Sequence, residues 1–485
     1  MKNVVIIGGG ITGLAAAYYL QQHAHGAIRV TLIESSSRLG GKITSVREDG
    51  FLIEGGPDSF ITQKAGALAL CRELGLDGDL TPSNTAHKTT YVVSGGKLHA
   101  MPEGMMLMAP TMMIPFLRSG LISWPGKMRM GMEMFLPRRD NDGDESLSSF
   151  ITRRLGAEAL DKLAGPLIGG IYAADPEKLS LRSTFPMFLE MEKKYGSLLR
   201  GMLRRKKAAA APAATQAAPA AATQPAVKRA PMSMFMTLRG GLQQLVDTLV
   251  ARIDPASILL GRQILPITPD AGGYRIDFSD GDHMHADEVL FATPAHVTGD
   301  LLTWIDPQLS VKLHAIRYVS TATVSLAYKV SDLGKKPDGF GFVVPHSERR
   351  KITACSWSST KFDHRAPEDG VLLRVFVGGD RAQELAELSE EALAEMAREE
   401  LRITMGITAT PVLTKVYRWC KGNPQYDVGH LDRVEEIDGM AAKHPGLHLA
   451  GAAFRGAGIP DCIQSALKVA TEITEANQVT RKEAV

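Results

Sequence analysis

Three glycine clusters are the features of this chain whose residue types and spacing could do chemistry. The first is Gly8-Gly9-Gly10-Ile11-Thr12-Gly13, with Gly8, Gly10 and Gly13 at the three glycine positions of a dinucleotide fingerprint. In that pattern the first glycine permits a tight turn, the second lets a pyrophosphate approach the backbone, and the third lets helix and strand pack closely. Glu34 follows at the distance where a carboxylate accepts hydrogen bonds from an adenosine ribose and disfavours a ribose 2′-phosphate. The second cluster is Gly40-Gly41, directly after that acid, and the third is Gly456-Ala457-Gly458 near the other end of the chain. The chemistry is the binding of an adenine dinucleotide.

The elements needed to position these residues are legible around them. Residues 4–7 form a β-branched run that reads as a strand. Residues 14–20 continue as a helix with Ile11, Leu14 and Tyr18 on one face, and residues 29–33 form the next strand, ended by Glu34. The helix start offers unpaired amides to phosphates. A nicotinamide nucleotide needs no second glycine pair after the acid, whereas a flavin nucleotide extends further and needs another close backbone approach. Residues 51–54 then read as a short strand, and Gly55-Gly56-Pro57-Asp58-Ser59-Phe60 as a turn. At the far end, residues 447–451 are a strand reaching a glycine, and residues 456–462 open a final helix whose amides can hold the anionic edge of a flavin ring. Such a site closes only when the C-terminus folds back on the first strand.

The chain of 485 residues exceeds the size at which one hydrophobic core stops growing, so two or three domains are expected. Hydrophobic residues at 44% and charged residues at 22% fit a soluble globular protein. A net charge of +2 supplies no field for nucleic acid as the main partner. Cys71, Cys355, Cys420 and Cys462 lie far apart without a C-x-x-C spacing, so no disulfide framework or zinc site is expected. The first apolar run stops at Gly8, too soon for a signal peptide, and a cytoplasmic location is expected. Residues 104–117 are uncharged but broken by Pro110, and too short to span a bilayer.

Along the rest of the chain, residues 65–75 have helical spacing and 91–100 read as a hairpin around Gly95-Gly96. Residues 101–137 are rich in methionine, with Arg118, Lys127 and Arg129 inside and Arg138 and Arg139 just beyond. That stretch reads as a helical core of adaptable side chains, as a pocket for a large flat apolar ligand, or as a surface resting on a membrane. Residues 147–155 and 157–167 look helical, and 169–176 break the pattern. A basic run from Lys193 to Lys207 suits a solvated helix face or anionic lipid. Residues 208–231 are almost wholly Ala, Pro, Thr and Gln, the composition of a mobile linker. Residues 237–242 lead into a helix through Leu245, Leu249 and Ile253. Residues 258–267 and 274–278 alternate, and 287–294 form a buried strand ending in a proline turn. Residues 311–330, 341–345, 352–357 and 372–377 read as a second sheet, 384–405 as a helix, 415–419 as a strand and 424–430 as a loop.

Residues 34–44 together with Gly56-Pro57 resemble the flavin amine oxidase superfamily. Four further motifs narrow that resemblance: Gly56-Pro57-Asp58-Ser59-Phe60; Gly170-Ile171-Tyr172-Ala173-Ala174-Asp175 with Leu179-Ser180 and Thr184-Phe185-Pro186; Trp419 with Pro424-Gln425-Tyr426 and Val428-Gly429-His430; and Gly458-Ile459-Pro460-Asp461-Cys462. With these the chain resembles the oxygen-dependent porphyrinogen oxidases of the soluble Gram-positive type.

The resemblance implies an α/β fold: a Rossmann-like FAD-binding domain with a mixed β-sheet substrate domain and a helical insertion. The expected division is 1–62, 234–298 and 433–478 for the FAD-binding domain and 63–92 with 299–432 for the substrate domain. Residues 93–205 would be the helical, membrane-facing part and 206–233 the linker. FAD would be held non-covalently by Gly8, Gly9, Gly10, Ile11, Thr12, Gly13, Glu34, Ser35, Lys42, Gly56, Pro57, Asp58, Ser59, Ile264, Trp419, Ala457, Gly458 and Ile459. The Ser-Gly-Gly-Cys context of covalent monoamine oxidases is absent. Lys64, Ile171 and Phe376 match substrate-binding positions; Met106 stands where mitochondrial relatives carry an arginine for a propionate, which raises the weight on Lys64. The implied reaction takes coproporphyrinogen III to coproporphyrin III, or protoporphyrinogen IX to protoporphyrin IX, in haem biosynthesis, with oxygen as acceptor and hydrogen peroxide released. The flavin carries the chemistry, so no catalytic side chain and no metal are expected. A transient ferrochelatase contact and a peripheral membrane contact are the further partners implied. Two readings stand beside this one: another amine-oxidase-type flavoprotein, and a non-catalytic flavin and porphyrin carrier.

Overall fold

The computed structural model describes residues 1–23, 26, 28–106, 109–110, 112–210 and 233–483. The expected linker therefore falls mainly outside the described residues, at 211–232. Its opening residues continue the helix Leu198–Ala210.

The strand Lys2–Ile7 is the centre of a five-stranded parallel sheet in the order Ile258–Leu260, Ile28–Glu34, Lys2–Ile7, Glu288–Phe291, Leu447–Leu449. Its alternate side chains feed two cores. Val4 and Ile6 pack with the helix Ile11–His23 and the final helix Ile459–Glu483, whereas Val5 and Ile7 pack with Ile276, Phe278 and Phe291 on the opposite face. The helix expected to bury one face is instead buried all round from Thr12 to Leu20. The final helix covers its outer side, which is why Ala15, Ala16 and Ala17 suit it: small side chains let two helices approach closely.

A seven-stranded sheet runs Leu413–Pro424, Tyr318–Lys329, Gly370–Gly378, Ala354–Trp357, Gly341–Val343, Thr90–Ser94, Lys97–Ala100. It is antiparallel except where Gly341–Val343 meets Thr90–Ser94. Leu373, Val375 and Val377 pack on one face with Leu393, Ala397 and Leu401 of the helix Glu390–Met405. On the other face Leu372 meets Phe51 and Ile53, and Phe376 meets the helical region.

Several expected elements shift for local reasons. The run 311–330 is split, because Asp306 caps a helix at Pro307–His314 and the strand begins only at Tyr318. Ser389 accepts from the Ala392 amide and starts the helix at Glu390, leaving Gln383–Glu387 as a 3₁₀ turn. Residues 169–170 do not break the helix before them: Gly165–Tyr172 runs through both and ends at Ala173, in the left-handed conformation. Of the run 258–267 only Ile258–Leu260 is a strand. Both strands of the hairpin join the large sheet, past the expected edge of the substrate domain at residue 92. The helix Ala65–Glu73, placed with that domain, packs instead in the first core through Leu68, Leu70 and Cys71.

The helical region packs on the seven-stranded sheet through Val92, Val343 and Ala354 and has its own core around Phe150, Leu163 and Phe188. Arg154 is fully buried there. It pairs with the equally buried Glu133, which also accepts from Ser197 Oγ at 2.6 Å and the Leu198 amide at 2.8 Å. Such a pair costs desolvation and survives because its remaining polar atoms are bonded. In the methionine-rich stretch Met130 is buried, but Met112, Met113, Met128 and Met132 are exposed with Ile114, Leu117, Trp124 and Phe135. A core of adaptable side chains therefore accounts for only part of it. Among the described residues no helix is long and apolar enough to cross a membrane.

Candidate functional site

The first glycine cluster divides into two kinds of glycine. Gly8 has φ +108°, and a Cβ on it would sit 2.9 Å from the Ala292 carbonyl oxygen; a Cβ on Gly13 would sit 1.9 Å from the Gly8 carbonyl oxygen. Both are glycine so that strand, turn and helix can pack. Gly10 differs: a Cβ there meets nothing nearer than the Gly41 Cα at 4.0 Å, so its outer face is open. Gly10 also bridges to Gly40, which makes the fingerprint and the second glycine pair a single backbone cradle. The helix Ile11–His23 begins directly at that open face.

Glu34 stands at the rim, half-buried. One carboxylate oxygen accepts from the Gly9 amide at 2.7 Å and the other from the Ser36 amide at 2.9 Å. The Gly9 N–H is thus turned to Glu34. Ser35 is exposed beside it. Leu260 pairs with Glu34, the Gly261 amide donates to Ser36 O at 3.0 Å, and Ile264 follows, bridged to Phe278. Glu34, Ser35 and Ile264 therefore lie at one end of the cradle.

Lys42 links the cradle to the next loop. A Cβ on Gly56 would sit 1.8 Å from the Lys42 carbonyl oxygen, so only glycine fits at 56. The Lys42 ammonium donates to the Gly422 carbonyl, and burial lowers its pKa. From that point residues 55–58 are held by the seven-stranded sheet. The Gly55 carbonyl accepts from Trp419 Nε1 at 3.0 Å, Thr323 Oγ1 at 3.1 Å and Arg374 Nη2 at 3.2 Å, and Arg374 Nη2 also donates to Gly56 O. Asp58 accepts from Lys361 Nζ at 3.0 Å and from Ser59 Oγ at 2.7 Å. Burial alone would raise its pKa; the ammonium of Lys361 and the guanidinium of Arg374 outweigh that and hold it well below the usual carboxylate range. Pro57 lies between these anchors.

The C-terminal segment closes the arrangement. A Cβ on Gly451 would lie 3.3 Å from Thr12 Oγ1, and one on Gly66 would lie 2.4 Å from the Pro460 carbonyl oxygen. Ala457 and Gly458 are exposed just before the final helix, while Ile459 is buried. Burial pushes the Cys462 thiol up to about 11 and the Tyr172 hydroxyl to about 12, so both are neutral near pH 7. Lys64 meets this segment: its ammonium binds both oxygens of Asp461, at 2.7 and 2.8 Å. Ile171, 61% exposed, sits on Gly165–Tyr172. That helix lies over Val343 and Ala354, and Ala354 pairs with Phe376. Of the three substrate positions expected from sequence, Lys64 thus meets the C-terminal segment, while Ile171 and Phe376 lie on a helix and a strand that are both neighbours of Ala354.

Arg374, Lys361 and Thr323 are the residues that sequence reasoning missed. Arg374 carried a signal: a lone charge inside the apolar run Leu372-Leu373-Arg374-Val375-Phe376, where a charge is rarely buried without a specific partner. Among the described residues no group of His, Cys, Asp or Glu could hold a metal ion.

An open-faced glycine at a helix start, a carboxylate at the rim and exposed residues before a second helix fit an elongated dinucleotide. The chain belongs to the flavin containing amine oxidoreductase family, whose model matches residues 11–474, and FAD is its cofactor. Within that family it is similar to porphyrinogen oxidases. It is 37% identical to the coproporphyrinogen III oxidase of Bacillus subtilis, over 95% of this chain and 96% of that one. It is 34% identical to the protoporphyrinogen oxidase of Bos taurus, over 98% and 99%. A crystal structure from Exiguobacterium sp. 255-15, provisionally named a protoporphyrinogen oxidase, superposes with a TM-score of 0.85 at 33% identity, over 98% of this chain and 99% of that one.

Proposed function

We propose that this enzyme oxidises coproporphyrinogen III to coproporphyrin III, with protoporphyrinogen IX as a second substrate, in haem biosynthesis. The observation that carries the reading is the full-length likeness to coproporphyrinogen III oxidases. The reaction removes six hydrogens from the macrocycle in three two-electron steps, giving one porphyrin and three molecules of hydrogen peroxide from three of oxygen. When bound, FAD supplies the electron acceptance and its return to oxygen. The chain supplies position. Gly10 and the start of Ile11–His23 take the pyrophosphate, Glu34 the ribose, and residues 56–59 and 457–459 the two sides of the flavin ring system. Ser35, Lys42, Ile264 and Trp419 complete the cofactor set, with binding non-covalent. Lys64 meets a propionate, for which Asp461 would have to yield, and Ile171 and Phe376 contact the apolar macrocycle.

The division into an FAD-binding part (1–62, 234–298 and 433–478), a substrate part (63–92 and 299–432), a helical part (93–205) and a linker (206–233) belongs to the same reading. The exposed apolar face of Met113–Arg118 and Trp124–Gly131 supports peripheral membrane contact on the cytoplasmic side. A ferrochelatase is the natural recipient of the product.

Incubating the purified holoenzyme with each porphyrinogen under oxygen tests the reading. Porphyrin fluorescence and peroxide should rise together, above autoxidation, on coproporphyrinogen III. No enzyme-dependent rise on either substrate would reject it.

A further inference from the structure

Residues 55–58 are anchored by side chains of the second sheet and of the turn beside it: Thr323, Arg374, Trp419 and Lys361. The charges in this cluster do not cancel. Three cations, Arg374, Lys361 and Arg365, share two carboxylates, Asp58 and Glu54: Lys361 lies 3.0 Å from Asp58, Arg365 lies 3.2 Å from Glu54, and Arg374 faces both. Arg374 is only 3% exposed. Its Nη2 is committed to the Gly55 and Gly56 carbonyls, its Nε has no hydrogen-bond partner among the described residues, and the Phe376 ring lies 5.0 Å from its guanidinium carbon. A guanidinium buried so incompletely bonded is costly. A simple loop anchor could have been a neutral donor such as Thr323.

We propose that Arg374 is a positioning residue that also acts through its charge. It fixes the 55–58 backbone and, with Lys361, places an uncompensated positive charge under that loop, which favours electron uptake by the flavin. The inference rests on the assignment of residues 56–59 to the flavin. Positive charge near a group that gains negative charge stabilises its reduced form, and low local dielectric enlarges the effect.

The test is the two-electron midpoint potential of the holoenzyme, measured by anaerobic dye equilibration, with FAD content and thermal melting as controls. Arg374→Met should shift the reduction equilibrium against reduced flavin by tenfold, about 30 mV for a two-electron couple. Arg374→Lys, which keeps the charge and loses the two-carbonyl geometry, should stay within threefold of the parent. Asp58→Asn should move the equilibrium tenfold the other way, and Lys361→Met should follow Arg374→Met. Opposite signs for removing a cation and removing the anion are what a charge effect requires. Equal shifts in the Lys and Met variants, or unchanged potentials in Arg374→Met and Asp58→Asn, overturn it. So does loss of FAD from every variant, which leaves a structural role alone. Pro57→Leu tests the underlying assignment separately, with a parent-like melting temperature as its control: stoichiometric FAD in that variant removes the assignment and the inference together, whereas lost FAD there beside unmoved potentials elsewhere removes the inference only.

Discussion

Arg374 Nη2 donates to the Gly55 carbonyl across 319 positions of sequence, at 3.2 Å, and so ties the second sheet to the loop that follows the strand Phe51–Glu54. Trp419 and Thr323 donate to the same oxygen. The loop assigned to the flavin is therefore shaped by the part of the chain assigned to substrate, and changes in either are expected to reach the other.

Trp419→Phe keeps an aromatic ring and removes one of three donors to Gly55 O. The expected loss is about 1 kcal/mol, since the acceptor keeps two partners. FAD affinity, measured by titrating the apoprotein, should fall about fivefold with the melting temperature of the apoprotein nearly unchanged. Unchanged FAD affinity would remove Trp419 from the cofactor set.

Gly13→Ala and Gly10→Ala separate packing from ligand approach. The first places a methyl 1.9 Å from the Gly8 oxygen and should destabilise the apoprotein by about 1–3 kcal/mol, read as a lower denaturation midpoint. The second adds a methyl into open space and should leave the apoprotein midpoint alone while abolishing FAD binding. The reverse pattern would invert the roles assigned to these two glycines.

Asp58 gives the fold a defined acid dependence. Its carboxyl is held below the usual range in the folded protein, so its contribution is present above the unfolded value near 4 and is lost as pH falls through the depressed folded value. Lys361→Met removes the nearest cation and should flatten this part of the melting temperature profile between pH 5 and pH 3. A profile parallel to that of the parent would show that Lys361 does not set the Asp58 charge.

The exposed face of Trp124, Met128, Met132 and Phe135 should govern binding to membranes. Co-sedimentation with anionic vesicles is expected to fall at least tenfold when Trp124, Met128 and Phe135 become Gln, with activity in detergent-free solution retained. Those side chains are 65%, 70% and 82% exposed, so the fold should tolerate the change. Undiminished binding would assign the face another role.

Much of this was legible in the chain because local signals and global packing agree around Gly8–Gly13. A β-branched strand, a glycine turn, a helix and an acid each carry their own pattern, and Gly40-Gly41 falls where Gly10 needs a neighbour without a side chain. What was not legible is what depends on distant partners. The helix Ile11–His23 reads as one-faced until the final helix covers its outer side. Asp306 and Ser389 shifted two element starts because a cap overrides the apolar periodicity around it. Lys64 reads as an available cation, yet its partner Asp461 lies 397 positions away. Gly169 and Gly170 read as a break, but the helix passes through them, with Val343 and Ala354 beside Gly170.

That this chain brings a porphyrinogen to its flavin is tested most directly by mixing the FAD-loaded protein with coproporphyrinogen III in the absence of oxygen and following both absorbance bands together. The flavin band should bleach, with porphyrin formed at one third of the flavin reduced, and should recover when oxygen is admitted. Tight binding of the porphyrinogen with an unchanged flavin band would contradict electron transfer to the flavin and make the chain a carrier.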